Sequence, residues 1–328
     1  MIYKDIVYGE FGVDEPVLLD IINSPEFQRL KYIDQGGHYK PHAPSIDPYY
    51  RFDHSIGVFL LLRKYNASME EQISGLIHDL SHAVFSHCAD YAMEGGSEKE
   101  HNHQDNNHIK FVKNSSVKDV LIKHGFNPDY ILDDANFPLK ETNLPDLCAD
   151  RIDYILRTGI HYAHKNQSEM TDFLDNLVSK NGKWIFKDYK VARDFAEYFM
   201  GMDSSYFSCI ESAGMFRTVS DALRYAFSKN YITAKDFYTT DREVVEKIKN
   251  HLDDPQMALL FDRMDGRVEI VNNPQNYDSR IFCKSRAVDP LFFDEEGNIK
   301  RVSDQDPDFK KKLVNYLEPK EYFLKFAR

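Results

Sequence analysis

Apolar residues recur every third or fourth position through "PVLLDIINSPEFQRLKYI", "HSIGVFLLLRKYN", "MEEQISGLIHDLSH", "DLCADRIDYILRTGI" and "SDALRYAFSKN". That period commits the first 230 residues to packed helices. Helix starts are marked by Asp14 before Glu15-Pro16 and by Ser68, with Glu71 at the capping-box position three residues on. "EGGSEKEHNHQDNN", residues 94–107, reads as a loop, and "NGKWIFKDY" as a turn leading to one short strand. After residue 255 the pattern changes to short alternating runs, "GRVEIVNN", "SRIFCKSRAV" and "GNIKRVSD", separated by Asn, Pro and Gly. The expected architecture is mainly α: a helical core over 1–230, with a small mixed α/β C-terminal subdomain over 231–328 packed on it. A chain of 328 residues exceeds one ordinary core without demanding several, which suits that division.

Charge excludes some partners. Lysine and arginine total 41 against 53 aspartates and glutamates, a net charge of −12, which disfavours nucleic acid and anionic membranes as partners. No run nears the roughly 18 apolar residues of a membrane span, and "MIYKDIVYGEFGVDEP" has no basic-then-apolar signal region, so the expected location is cytoplasmic. Cys88, Cys148, Cys209 and Cys283 lie far apart without a C-x-x-C pair, as reduced core thiols do.

Thirteen histidines scattered evenly over 328 residues would leave about two in the 55 positions from 54 to 108, where seven stand. Three of them, with two aspartates, fall within "GLIHDLSHAVFSHCAD". At 3.6 residues per turn, His78 and His82 share one helical face, and Asp79 beside His78 faces about a quarter-turn around. Imidazole and carboxylate together suit iron, manganese, zinc or nickel better than they suit a structural thiolate zinc site. "RFDHS" adds His54 upstream, and "DRIDYILR" adds Asp150 downstream.

His54, then His78-Asp79, then Asp150 resembles the H…HD…D pattern of the HD-domain metal-dependent phosphohydrolases, a helical-bundle family. "INSPEFQRLKYIDQGG", "RFDHSIGV", "HDLSHAVFSH", "DRIDYILR" and "CKSRAVDPLF…KRVSDQDPDF" extend the likeness, in order, to the subgroup containing the eukaryotic dNTP triphosphohydrolase and its bacterial relatives. The resemblance implies that His54, His78, Asp79 and Asp150 hold one or two divalent ions (manganese, iron, zinc, nickel or magnesium). The implied chemistry is attack of metal-bound hydroxide on phosphorus, because a bound ion lowers the pKa of its water to about 7. His82, His87 and His103 match proton-handling or supporting histidines of the family. His87 is the expected general acid, and Asp90 stands where it can orient that ring. Gln35, Arg51, Arg151 and Tyr154 match residues that hold phosphate or ribose, the guanidinium of Arg51 suiting bidentate phosphate. The expected partner is a nucleotide or another phosphorylated small molecule, and the expected assembly is a homo-oligomer.

The chain also departs from that pattern. Ser81 and Val84 replace a usual glycine and proline, and Thr158 stands where the nucleotide hydrolases commonly carry an aspartate for the sugar 3′-hydroxyl. "GMFRTVSDALRYAFSKN" keeps only Arg217 and Arg224 of a more basic phosphate-binding segment. A phosphomonoesterase or cyclic phosphodiesterase therefore stays open beside the nucleotide hydrolase, as does a non-catalytic nucleotide-binding regulator.

Overall fold

The computed structural model describes residues 1–92 and 103–327. An antiparallel hairpin of β1 (Ile2–Asp5) and β2 (Gly9–Gly12) leads into α1 (Pro16–Ile22) and α2 (Pro25–Arg29). The apolar period across 16–33 is thus split in two. Pro25 has no N–H and disfavours helical backbone before it, so Ser24 ends one helix and caps the next, accepting from Phe27 N at 3.3 Å.

Next come α3 (Arg51–Lys64) and α4 (Met69–Ile77). Ser68 caps α4, accepting from Glu71 N at 3.1 Å. The capping box does not close, because the buried Glu71 carboxylate accepts from Leu139 N at 2.8 Å and Lys140 N at 3.1 Å instead. The bundle continues with α5 (His103–Lys113), α6 (Ser116–Lys123), α7 (Pro128–Ile131), α8 (Ala149–His161) and α9 (Gln167–Asn176). The end of the polar stretch, from residue 103, is therefore helix and not loop.

The segment "NGKWIFKDY" contributes to a hairpin, β3 (Leu177–Lys180) with β4 (Lys183–Phe186), and not to a lone strand. It is followed by α10 (Tyr189–Met202), α11 (Ile210–Ser228), α12 (Asp241–Lys249) and α13 (Pro255–Met264). The last part holds β5 (Ile270–Asn272), β6 (Ser279–Cys283), β7 (Leu291–Phe293), β8 (Ile299–Arg301), α14 (Val302–Gln305), α15 (Pro307–Tyr316) and β9 (Lys320–Phe326). One sheet has the order β5-β9-β6, and a second runs β3-β4-β7-β8, with β4 parallel to β7. The late strands therefore add to a sheet begun in mid-chain, while α12 and α13 share an apolar cluster with α11 through Val219, Leu223, Val244, Ile248 and Phe261. Among the described residues, no helix is long and apolar enough to cross a membrane.

Helix α3 is central because it is apolar on all sides, a pattern that demands burial all round. Val58, Leu61 and Leu62 join a core with Ile152 and Leu156 of α8 and Phe195 and Phe199 of α10. Ile56, Phe59 and Leu60 join another with Ile21, Phe27, Ile73 and Leu76. Gly57 sets how near α8 can come, since a Cβ there would collide with the Asp153 carboxylate and the Arg157 guanidinium.

Those two groups form a buried chain of charges. Arg157 bonds Asp153 through Nε at 3.0 Å and Nη2 at 2.9 Å, and its Nη2 reaches Asp5 of the first hairpin at 2.9 Å. Removing the cation would leave two carboxylates buried without it. Arg157→Ala is therefore expected to cost about 3–5 kcal/mol, read as a lower denaturant midpoint in equilibrium unfolding.

Candidate metal centre

Three elements converge. His54 comes from the first turn of α3, His78 directly follows the last residue of α4, and Asp150 lies in the first turn of α8. His54 Nδ1 lies 2.8 Å from Asp153 Oδ2, and His78 Nδ1 lies 2.7 Å from the Gly75 carbonyl. Each ring thus donates its Nδ1–H outward and turns Nε2 towards the other. The two Nε2 atoms are 3.2 Å apart, and Asp150 Oδ1 is 2.9 Å from that of His54 and 3.7 Å from that of His78.

One ligand atom from each of His54, His78 and Asp150 falls within 4.8 Å of the others. Bonds of about 2.0–2.2 Å to a shared divalent ion span separations of this order, so these residues fit a metal in spacing and in donor chemistry. Asp79 adds a carboxylate beside both imidazoles, Oδ1 at 3.4 Å from His78 Nε2 and Oδ2 at 3.9 Å from His54 Nε2. That Oδ2 also accepts from Arg51 Nη1 at 2.8 Å. A second cluster of Glu141, Cys148 and Asp150 shares Asp150, but Arg151 stands in it, its Nη1 3.2 Å from Cys148 Sγ and its Nη2 3.2 Å from Glu141.

The local fold differs from a continuing helix. α4 ends at Ile77, so His78 and His82 do not stack on one helical face; Leu80 N and His82 N make tight turns to Ile77 O and Asp79 O, both at 3.1 Å. Competing partners account for this. The His78 ring takes the Gly75 carbonyl, and Arg29 Nη2 holds the carbonyls of Leu80 at 3.0 Å and His82 at 2.6 Å. His82 Nε2 comes back to Asp79 Oδ1 at 3.2 Å.

Burial opposes every charge here, and the partners decide the outcome. For His54, the bonds to Asp150 and Asp153 outweigh desolvation and push the imidazole up to about 9. Burial would raise Asp79 and Asp150, yet Arg51 beside the first and the two imidazoles beside the second hold both well below the usual carboxylate range. His82 and His87 are each pushed down to about 3 by burial and then by Arg51.

Of the other expected site residues, His87 and Asp90 pair at 2.9 Å, and the His87 ring meets His82 at right angles with centroids 5.1 Å apart. Arg51 is buried; Nε donates to Ser86 Oγ at 3.0 Å, and Nη2 reaches the Gln35 carbonyl at 3.4 Å. Gln35 thus meets Arg51 through its backbone carbonyl. Tyr154 packs on Phe199 and Phe207. Arg151 is turned to the preceding loop, donating to Thr142 O at 2.6 Å and Asp146 O at 3.2 Å. The His103 side chain lies outside those described. Thr158 is fully buried with Oγ1 2.9 Å from Tyr49 OH, and Arg217 and Arg224 both pair with Asp221.

Several residues of the site were not singled out by sequence. Asp153 orients His54; its signal was a carboxylate three positions after Asp150, on the same helical face. His108 Nδ1 lies 3.1 Å from Ser81 Oγ, and burial, then Lys140, pushes that imidazole down to about 3. Arg286, between β6 and β7, makes no ion pair, ring contact or side-chain hydrogen bond among the described residues, and its charge acts on both His87 and Tyr154. Asp241, at the start of α12, accepts from Asp34 N and Phe85 N, both at 2.8 Å. Arg286 lies within the segment "CKSRAVDPLF" that resembles the family, whereas Asp241 comes from far along the chain and had no local signal.

The HD domain's family model matches residues 51–157, the span from Arg51 to Arg157 that carries all four expected ligands. The uncharacterized protein YdhJ of Bacillus subtilis is 33% identical over 303 residues, 90% of each chain. The chain belongs to the HD-domain family. It is a hydrolase of that family, with a metal-dependent site. Cns2 of Cordyceps militaris, a metal-dependent phosphohydrolase, is 35% identical over 164 residues, 49% of this chain and 46% of Cns2. Mouse SAMHD1, a deoxynucleoside triphosphate triphosphohydrolase, is 31% identical over 150 residues, 39% of this chain and 22% of SAMHD1. A crystal structure of a hypothetical protein from Aquifex aeolicus shares the fold, with a TM-score of 0.74 at 17% identity, covering 100% of this chain and 96% of that one.

A pH dependence follows from the carboxylates behind the pocket. Burial, then repulsion from Asp241, pushes Asp34 up to about 8, and burial pushes Asp241 up to about 7. With folded values above the unfolded ones, their contribution to stability is fully present below the ordinary carboxylate value of about 4 and is lost progressively as pH rises from there to 7–8. Melting temperature is expected to fall across that window. Asp34→Asn, which keeps an acceptor for Gly36 N, should flatten the fall.

Proposed function

We propose that the chain is a phosphohydrolase acting on nucleotides, with deoxynucleoside triphosphates as the leading substrate class. One observation carries the reading: His54, His78 and Asp150 converge with both imidazoles already oriented, and the His87–Asp90 pair adjoins them through His82, which bonds Asp79. His54, His78, Asp79 and Asp150 are the proposed metal ligands. A divalent ion bound there supplies Lewis acidity towards phosphoryl oxygens and acidifies water.

The chain's own side chains do the rest. Asp153 and the Gly75 carbonyl hold the imidazoles in the ligating tautomer. Arg51 and Arg286 put positive charge around His87, and with burial they keep it neutral in the free protein. A phosphate entering between them reverses that field, so His87 takes up a proton together with the substrate and passes it to the departing oxygen. Asp90 fixes the ring for that transfer. Tyr154, one turn beyond Asp150 on α8, offers a face to the base or sugar.

The SAMHD1 likeness supports a nucleotide substrate, although this chain spans well under half of that relative. Thr158 favours a second reading, a phosphomonoesterase or cyclic phosphodiesterase with little demand on the sugar, because its hydroxyl is sealed against Tyr49. Retention of His87 with Asp90 speaks against a non-catalytic regulator. Assembly as a homo-oligomer belongs to the same proposal, and light scattering reads it.

The test is turnover of protein loaded with manganese or iron on deoxynucleotides, ribonucleotides, monophosphates and cyclic phosphates, with triphosphate and phosphate release measured separately. His54→Ala and Asp150→Ala are expected to lose bound metal and turnover together. For His87→Ala, metal should stay while kcat drops by about 10²–10⁴. Wild-type protein that is metal-loaded and inert on the whole panel would sink the reading. Asp153→Asn is expected to weaken metal binding by about 10–100-fold in a competition titration with a chelator.

A further inference from the structure

The turn carrying His87 is strained and is held from a distance. Phe85 and Ser86, directly before it, have φ of +57° and +49°, left-handed backbone that bulky L residues rarely adopt. That pair of conformations turns the chain so that Ser86 Oγ meets Arg51 Nε and His87 faces His82. Ser86 Oγ also donates to Asp34 O at 2.5 Å, tying the turn to the wall that carries Gln35.

Residues 237–241, outside the segment matched as an HD domain, clamp this arrangement. Val84 N donates to Phe237 O at 2.9 Å. Arg29, which holds the Leu80 and His82 carbonyls, donates through Nη1 to Thr239 O at 3.3 Å. Asp241 closes the clamp: Oδ1 accepts from Phe85 N and Oδ2 from Asp34 N, so one carboxylate spans the strained turn and the opposite wall. A carboxyl side chain is suited to this, since it has two oxygens to offer, one to each amide.

We infer that Asp241 is a positioning residue for His87, fixing the Phe85–Ser86 turn so that the imidazole stands at the distance from the metal centre that proton transfer requires. Asp241 touches neither metal nor substrate. The inference rests on the role proposed above for His87.

A kinetic double-mutant cycle tests it on the metal-loaded full chain, using the best substrate of the panel. Asp241→Ala is expected to lower kcat by about 10²-fold, the scale of a misplacement near 1 Å, with KM and bound metal close to wild type. The His87→Ala/Asp241→Ala double variant should be no slower than His87→Ala alone, because a residue acting through His87 has nothing left to position. Asp241→Asn retains one acceptor and should fall between wild type and Asp241→Ala; it serves in place of the alanine variant if that does not fold. An unchanged kcat beside a lowered melting temperature, or additive losses in the double variant, overturns the inference and leaves the role of His87 standing. Full turnover by His87→Ala removes that role, and the inference with it.

Discussion

The bond between His54 Nδ1 and Asp153 Oδ2, at 2.8 Å, joins the candidate metal centre to the interior. From Asp153 the charges run through Arg157 to Asp5, so α3, α8 and the first hairpin meet on one buried ionic chain. Such a chain is a poor source of net stability, because desolvating each ion offsets most of the attraction. Its value is directional. It aims one ring nitrogen of His54 at Asp150 and His78, and the two apolar cores that α3 shares keep that aim from drifting.

The same logic recurs across the pocket. Asp79 stays ionised although buried, because Arg51 and two imidazoles face it, while His82 and His87 are kept neutral. Arg51 serves three partners at once, Asp79, Ser86 and the Gln35 carbonyl, and so links a proposed ligand to the turn that presents His87. Positive charge is concentrated where a phosphate would bind, and negative charge where a cation would. A pocket with this polarity accepts an anionic substrate despite the overall charge of −12.

Much of this was legible in the sequence, and the reasons are local. His54, His78-Asp79 and Asp150 stand out by residue type and order, and the helices that carry them show a clear apolar period. The break at Ser24-Pro25 was visible in the proline, although the period ran across it. The end of α4 was not, since it depends on Arg29 reaching the carbonyls of Leu80 and His82 from 51 and 53 residues away. Asp5 and Asp241 were illegible for the same reason. Each is an ordinary acidic residue until the fold carries it to a partner more than 150 positions distant. The pairing of β4 with β7 likewise joins strands more than 100 residues apart, which no short window reveals.

Gly57 has an evolutionary corollary. Because its missing methyl group is the space in which Asp153 and Arg157 lie, replacements at these three positions are epistatic. A larger residue at 57 becomes tolerable only after the ionic pair has gone, and loss of the pair opens a void that such a residue then fills. The close approach of α3 and α8 beside His54 therefore fixes the order in which these three positions can change.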